Sequence, residues 1–157
     1  MIRKNCAHYF IFRISWLFGF HGTCFPDTIL SVAKEKKALR IVNDQLGGPT
    51  YSKDVAYAML SLFNHFVLGE KSLNQVFHLS NHGYCSWYDF GSFLIKNSSE
   101  TQFPIQMTAI STQELNRKAP RPTNSRFNLD KTNRLLKINL RPWQEASLDY
   151  LQNRKNF

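Results

Sequence analysis

Strand-like and helix-like patterns alternate along this chain, which predicts an α/β fold. Three observations carry the prediction. A continuous aromatic and β-branched run over 8–15 suits a parallel strand buried on both faces. Apolar residues at Val55, Ala58, Met59, Leu62, Phe63 and Phe66 recur at helical spacing. Short apolar runs over 39–43, 76–80 and 105–110 return between the helical stretches.

Taken in order, the run 8–15 leads into a loop with Gly19 and Gly22. The stretch 26–37 reads as a helix with Pro26 in its first turn and lysines near its end. The strand at 39–43 is closed by the turn-rich Leu46-Gly47-Gly48-Pro49. Ser52 is placed to cap the next helix, which Gly69 ends. A strand at 76–80 follows, then an aromatic-rich helix from Ser86 to about Asn97 and a strand at 105–110. Helices near 129–137 and 142–152 finish the chain, the second with Pro142 at its start. No internal repeat is present.

The 157 residues suffice for one domain with a core, and 43% hydrophobic content with 13 Phe and 3 Trp supplies the surface to bury. Net charge is +9, but the basic residues are spread over Lys34/Lys36/Lys37, the stretch 117–126, and Lys131, Arg134 and Lys137. No basic block or nucleic-acid motif is visible, so a solvated basic surface is expected, with a site for a small anion next. Cys6, Cys24 and Cys85 form no C-x-x-C pair, which points to free, mostly buried thiols in a reducing compartment, the cytoplasm. The start Met1-Ile2-Arg3-Lys4 faintly resembles a signal peptide, but Arg13 interrupts the apolar run and no cleavage site follows. No segment is long enough to span a membrane.

Several constellations could carry chemistry. Ser15 and Trp16 sit where the first strand ends, the place where an open α/β sheet presents side chains to a ligand. A Trp there stacks on a sugar ring while Ser offers a hydroxyl, or the Trp is simply core. Arg13 inside the apolar run would need a partner if buried. Gly19-x-x-Gly22-x-x-Phe25, with Asp44 about twenty residues on, mimics a dinucleotide fingerprint, but Phe25 stands where the third glycine is needed. His78-x-x-x-His82-x-x-Cys85 has metal-like spacing without a fourth ligand nearby, and a structural role is expected.

Phe12-Arg13-Ile14-Ser15-Trp16-Leu17-Phe18-Gly19 resembles the arginine–serine–tryptophan strand of the dTDP-4-dehydrorhamnose reductases, extended short-chain dehydrogenases that use NADPH. Four further segments are similar to that family in the same order. They are Asp44-Gln45 through Pro49-Thr50-Tyr51, Phe77-His78-Leu79-Ser80-Asn81 with Cys85-Ser86-Trp87-Tyr88-Asp89-Phe90, Arg121-Pro122-Thr123-Asn124-Ser125, and the closing Leu140 to Trp143. The likeness runs from about residue 8 to 151.

The resemblance implies the carboxy-terminal half of a Rossmann-type enzyme, a single incomplete domain over 1–157. About 8–100 would hold the last parallel strands mixed with substrate-lobe segments, and about 101–151 mainly the substrate lobe. It implies that Trp16 packs on the deoxysugar of a dTDP-sugar and that Ser15 lies near the nicotinamide of NADPH. Arg121 and Asn124 would surround the diphosphate, and Gln45, Thr50 and Tyr51 would shape the pocket. Where the family has Gly-Asn-Asn-Phe, this chain has Gly22-Thr23-Cys24-Phe25, which removes an amide from the substrate's reach.

The parent reaction would be NADPH-dependent reduction of dTDP-4-dehydrorhamnose to dTDP-rhamnose, a precursor of surface polysaccharide. Reducing a ketone also needs a proton donor, usually a Tyr beside a Lys. No Tyr-x-x-x-Lys exists here; Tyr9-x-x-x-Arg13 and Tyr150-x-x-x-Arg154 come nearest. The family's cofactor turn and catalytic residues fall upstream of Met1, which therefore reads as an internal residue of a longer protein. No catalysis is expected alone, and the strand at 9–15 should expose an unpaired apolar edge. A separate amino-terminal half or a homodimer would be the partner. The alternative is a non-catalytic subunit resembling the methionine adenosyltransferase β subunit; a nucleic-acid binder is a distant third.

Overall fold

The computed structural model describes residues 1–63, 74–100, 104–116 and 119–154. A short exposed helix α1 (Ile2–Asn5) precedes strand β1 (Phe10–Ile14) and β2 (Leu17–Phe18). Helix α2 (Phe25–Glu35) leads to β3 (Ala38–Val42), β4 (Leu46–Gly47), β5 (Thr50–Tyr51) and helix α3 (Ser52–Leu62). Then come β6 (Gln75–Leu79), β7 (Cys85–Ser86), helix α4 (Trp87–Asn97) and β8 (Gln106–Ile110). Three helices close the chain: α5 (Thr112–Leu115), α6 (Asp130–Leu136) and α7 (Trp143–Asn153).

The longer strands pair in parallel, β1 with β6 and β3 with β8, each over five residues. The two-residue strands pair as β2 with β5 in parallel and β4 with β7 antiparallel. The expected α/β class therefore holds, and the strands at 39–43, 76–80 and 105–110 lie within a residue of where the pattern puts them. Helices α2, α3, α4, α6 and α7 correspond to the five helical stretches.

Two apolar cores hold these layers. In one, Ile29, Leu30 and Ala33 of α2 meet Leu39 and Ile41 of β3, Phe90 and Leu94 of α4, and Trp143, Ala146 and Tyr150 of α7. In the other, Ala58 and Leu62 of α3 pack on Phe77 and Leu79 of β6, with Phe10, Phe12 and Ile14 of β1 beside them. Phe10, Phe12 and Phe77 form a stacked row, Phe12 opposite Phe77 in register. A buried polar hub ties the two together. Asn81 accepts from the Tyr51 N–H (2.8 Å) and donates to Asp54 Oδ2 (2.7 Å) and the Arg141 carbonyl (3.0 Å). Arg141 in turn donates to both carboxylate oxygens of Asp54 and to Asp149.

Several expectations are corrected. The first strand is half-buried rather than buried on both faces, because β6 is its one partner among the described residues. Arg13 is accordingly exposed and needs no buried counter-charge. Ser52 is the first residue of α3 and caps nothing; Tyr51 occupies the cap position. The Ser52 hydroxyl instead fills the space beside Gly19, where a Cβ would lie 1.9 Å from Oγ. Ser86, by contrast, caps α4 in a reciprocal capping box with Asp89. Of the three thiols only Cys85 is buried; Cys24 is half-buried and Cys6 exposed. Phe66 and the helix end at Gly69 lie outside the described residues.

Candidate functional site

A cleft of about 620 Å³ opens at the carboxyl ends of β1 and β3, where parallel strands release their last side chains. Ile14, Ser15 and Trp16 line it from β1, and Arg40, Ile41, Val42 and Gln45 from β3 and the turn after it. Arg121, Pro122, Ser125 and Phe127 form the opposite wall. That wall is fixed by β4. The Leu46 N–H donates to the Thr123 carbonyl, and the Ser125 N–H donates back to the Leu46 carbonyl, both at 2.8 Å.

Ser15 is buried, and its hydroxyl donates to the Gly48 carbonyl at 2.8 Å, leaving only lone pairs for a ligand. Gln45 is also buried, with its amide donating to Thr112 Oγ1 at 2.9 Å. Thr112 in turn donates to Asp44 through its N–H and its hydroxyl, so α5 is held against the cleft's edge. These hydrogen bonds hold the exposed Asp44 carboxyl below its ordinary range.

Arg40 and Arg121 line this cleft and no carboxylate does, among the described residues. Arg40 has an exposed, long contact to Glu114 (3.5 Å), a pairing too weak to hold it from an anion.

Trp16 has a left-handed backbone, φ +42°, which a bulky residue adopts only when its surroundings impose it. Its carbonyl accepts from the Thr50 N–H at 3.1 Å. A Cβ on Gly47 would lie 2.2 Å from Trp16 Cε2, 2.4 Å from Nε1 and 2.6 Å from Cζ2. The fused-ring carbon is nearest, so Gly47 stands over one face of the indole. Trp87 covers the other, with centroids 3.6 Å apart and planes 10° apart. Trp16 therefore presents no free face to a sugar, contrary to the expected stacking.

The structure thus brings Ser15, Trp16, Gln45 and Arg121 together in the cleft and leaves three expected residues outside it. Thr50 is fully buried and bonds to Gly48 and Ser80. Tyr51 is fully buried among Phe18, Phe20 and Tyr150, and burial pushes its hydroxyl up to about 12. Asn124 is exposed, its carbonyl accepting from the N–H and Nε of Arg126.

Among the lining residues to which the sequence assigned no site role are Arg40, Trp87 and Phe127. Strand alternation does put Arg40 opposite the buried Leu39 and Ile41, which is the signal that could have found it.

The decoys resolve structurally. His78 stacks on Phe127 at 4.3 Å, Cys85 is buried with its thiol pushed up to about 12, and the described residues contain no three-member metal cluster. Gly19 offers no room to a dinucleotide's diphosphate either, although Gly22 is open. Ser52 fills the space at Gly19, and Phe25 packs against Trp87. Cys24 lies away from the cleft. Its thiol donates to Asp27 Oδ2 at 2.9 Å, and burial followed by that hydrogen bond raises its pKa.

This α/β fold, with its cleft at the carboxyl ends of parallel strands, matches the carboxy-terminal half of the extended, Rossmann-type reductases. Residues 1–156 match the family described as the RmlD substrate binding domain, and the chain belongs to that family. It is 34% identical over 158 residues to the spore coat polysaccharide biosynthesis protein SpsK of Bacillus subtilis (strain 168), covering 99% of this chain and 51% of that protein. It is 34% identical over 140 residues to a dTDP-4-dehydrorhamnose reductase of Aggregatibacter actinomycetemcomitans, covering 87% and 47%. A dTDP-4-dehydrorhamnose reductase of Bacillus anthracis, solved in complex with NADP, superposes with a TM-score of 0.78 at 31% identity, over 92% of this chain and 48% of that one. The chain spans about half the length of these relatives. No helix among the described residues is long and apolar enough to cross a membrane.

Proposed function

We propose that this chain is the sugar-nucleotide-holding half of a dTDP-4-dehydrorhamnose reductase. The observation that carries the reading is the cleft's charge: two arginines and, among the described residues, no carboxylate line its aromatic and apolar walls. Such a lining suits a diphosphate joined to flat or weakly polar rings. Arg121 binds the diphosphate, Gln45 fixes the rim, and Ser15 offers lone pairs at the inner end. Asn124 acts by orienting Arg126 and the backbone that carries Arg121.

NADPH would supply the hydride when bound. Among the described residues Ser15 alone is placed to meet it. Since the sequence has no Tyr-x-x-x-Lys, the chain by itself binds and orients without reducing. Among the described residues β1 pairs with β6 alone, and a second half, or a second copy, would add its strand along the other edge.

Calorimetric titration of dTDP and dTDP-rhamnose into the purified chain tests this. Both should bind, and Arg121→Ala should weaken dTDP by roughly ten- to a hundredfold, the worth of hydrogen bonds to a charged group. Folded protein that binds neither nucleotide, or an Arg121→Ala variant that binds like the parent, would sink the reading.

A further inference from the structure

We propose that Trp87 is a resident occupant of the sugar subsite: its indole takes, in the ligand-free chain, the place against Trp16 that a pyranose would take. The inference rests on the sugar-nucleotide reading above and deepens it. Trp16 is held on one side, its carbonyl accepting from the Thr50 N–H and Gly47 standing over one face. That face is closed by main chain. The other is closed only by a side chain. At 3.6 Å and 10° the two indoles are in full face contact, and no ring can enter between them.

Trp87 is only partly buried where it packs on the first apolar core, and its departure leaves that core's buried members in place. It is the first residue of α4, and that helix is anchored without it, by the Ser86–Asp89 capping box and by buried Phe90 and Leu94. Its remaining ring neighbour, Phe25, sits tilted at 4.7 Å and 54° and is itself only partly buried. Both border the cleft, which gives the swung indole room. The guanidiniums that would hold a diphosphate lie on other elements, Arg40 on β3 and Arg121 after α5.

Nucleotide and sugar recognition are therefore separable. A nucleoside diphosphate leaves the indole pair alone, whereas a sugar must displace it. Sugar affinity is then reduced by the fraction of chains in which Trp87 is closed. An aromatic pair of this kind corresponds to about three- to tenfold in affinity.

Face-stacked indoles give an exciton couplet in far-ultraviolet circular dichroism, which Trp16→Phe or Trp87→Phe should each remove. Titration of the wild-type chain with dTDP should leave the couplet unchanged, and dTDP-rhamnose should collapse it. Trp87→Ala should bind dTDP-rhamnose about three- to tenfold tighter than wild type and dTDP equally well. Binding by Trp87→Ala where wild type shows none would support the same conclusion more strongly.

A couplet that persists at saturation with dTDP-rhamnose, its absence from the free chain, or weaker sugar binding by Trp87→Ala would overturn the occupant role alone. Failure of both nucleotides to bind either folded form would overturn the sugar-nucleotide reading, and this inference with it. The wild-type titration reads the couplet directly, so the proposal stays testable if Trp87→Ala does not fold.

Discussion

Replacing Asn81 with Leu should be among the most damaging single changes in this fold. Asn81 is fully buried, and its amide joins the backbone entering α3, the Asp54 carboxylate and the backbone leading into α7. Leucine has similar bulk and none of the polar atoms. The Tyr51 N–H would lose its partner, the Arg141 carbonyl would keep the His82 N–H, and Asp54 would keep its bonds to Arg141. At about 1–3 kcal/mol for the orphaned Tyr51 N–H, with about 1 kcal/mol for the bond lost at the Arg141 carbonyl and about 1.5 kcal/mol for that lost at the Asp54 carboxylate, the loss comes to roughly 3–5 kcal/mol. Most point changes cost far less, and whole domains hold about 5–15 kcal/mol. In urea unfolding followed by circular dichroism, a slope of about 2 kcal/mol per molar turns this into a midpoint lowered by roughly 1.5–2.5 M. A shift under about 0.5 M at unchanged slope would refute the hub as a structural keystone.

Three other outcomes follow from the same geometry. Burial works to raise the carboxyls of Asp27 and Glu100, but hydrogen bonds and the charge of Arg154, with Cys24, Tyr150 and Lys34, bring both below their ordinary values. Groups lowered in the folded state add stability above their unfolded pKa, near 4, and lose it as pH falls through the folded values. Melting temperatures should therefore drop between about pH 4 and 2 more steeply in wild type than in Arg154→Met, and parallel curves would count against the network. Thiol labelling at pH 8 should show one fast site, Cys6, with Cys24 and Cys85 slow because burial raises both; two fast sites would contradict their placement. Gly47→Ala should force Trp16 off its seat, lowering stability by about 1–3 kcal/mol and abolishing the indole couplet, and an unchanged couplet would show that the seat yields.

Much of this was legible from residue patterns, for reasons that particular elements make plain. Ser86 three residues before Asp89, ahead of an apolar period, announces α4 because capping is local chemistry. Pro26 marks α2 likewise, since proline's missing N–H is harmless only in a first turn. What the pattern hides is which strand has a neighbour. The run at 8–15 is apolar enough for a central strand, yet a single partner leaves it half-exposed and Arg13 in solvent. The two-residue strands are too short to carry a period at all. In the cleft, family likeness located Ser15, Trp16, Gln45 and Arg121, but Thr50 and Tyr51 turn inward to complete buried contacts. The Trp87 face contact depends on two segments far apart in sequence, and no local signal encodes it.

Those long-range dependencies also decide how the site is built. Phe10 pairs with Gln75 and Ala38 with Gln106, so each parallel ladder closes a long loop before it gains its contacts. The cleft takes one wall from each ladder and a third from the segment held to β4. No single element carries a partial site, and nucleotide binding therefore reports on the fold as a whole. The weakest link is β1, which holds Ser15 and Trp16 at its end and, among the described residues, pairs on one side only. A ligand that binds only the folded chain stabilises it by mass action, and the same linkage applies to anything that orders β1. A strand added along its open edge would restrict Ser15 and Trp16 without touching Arg40 or Arg121. It should therefore strengthen recognition of the inner, sugar end of the ligand more than that of the diphosphate.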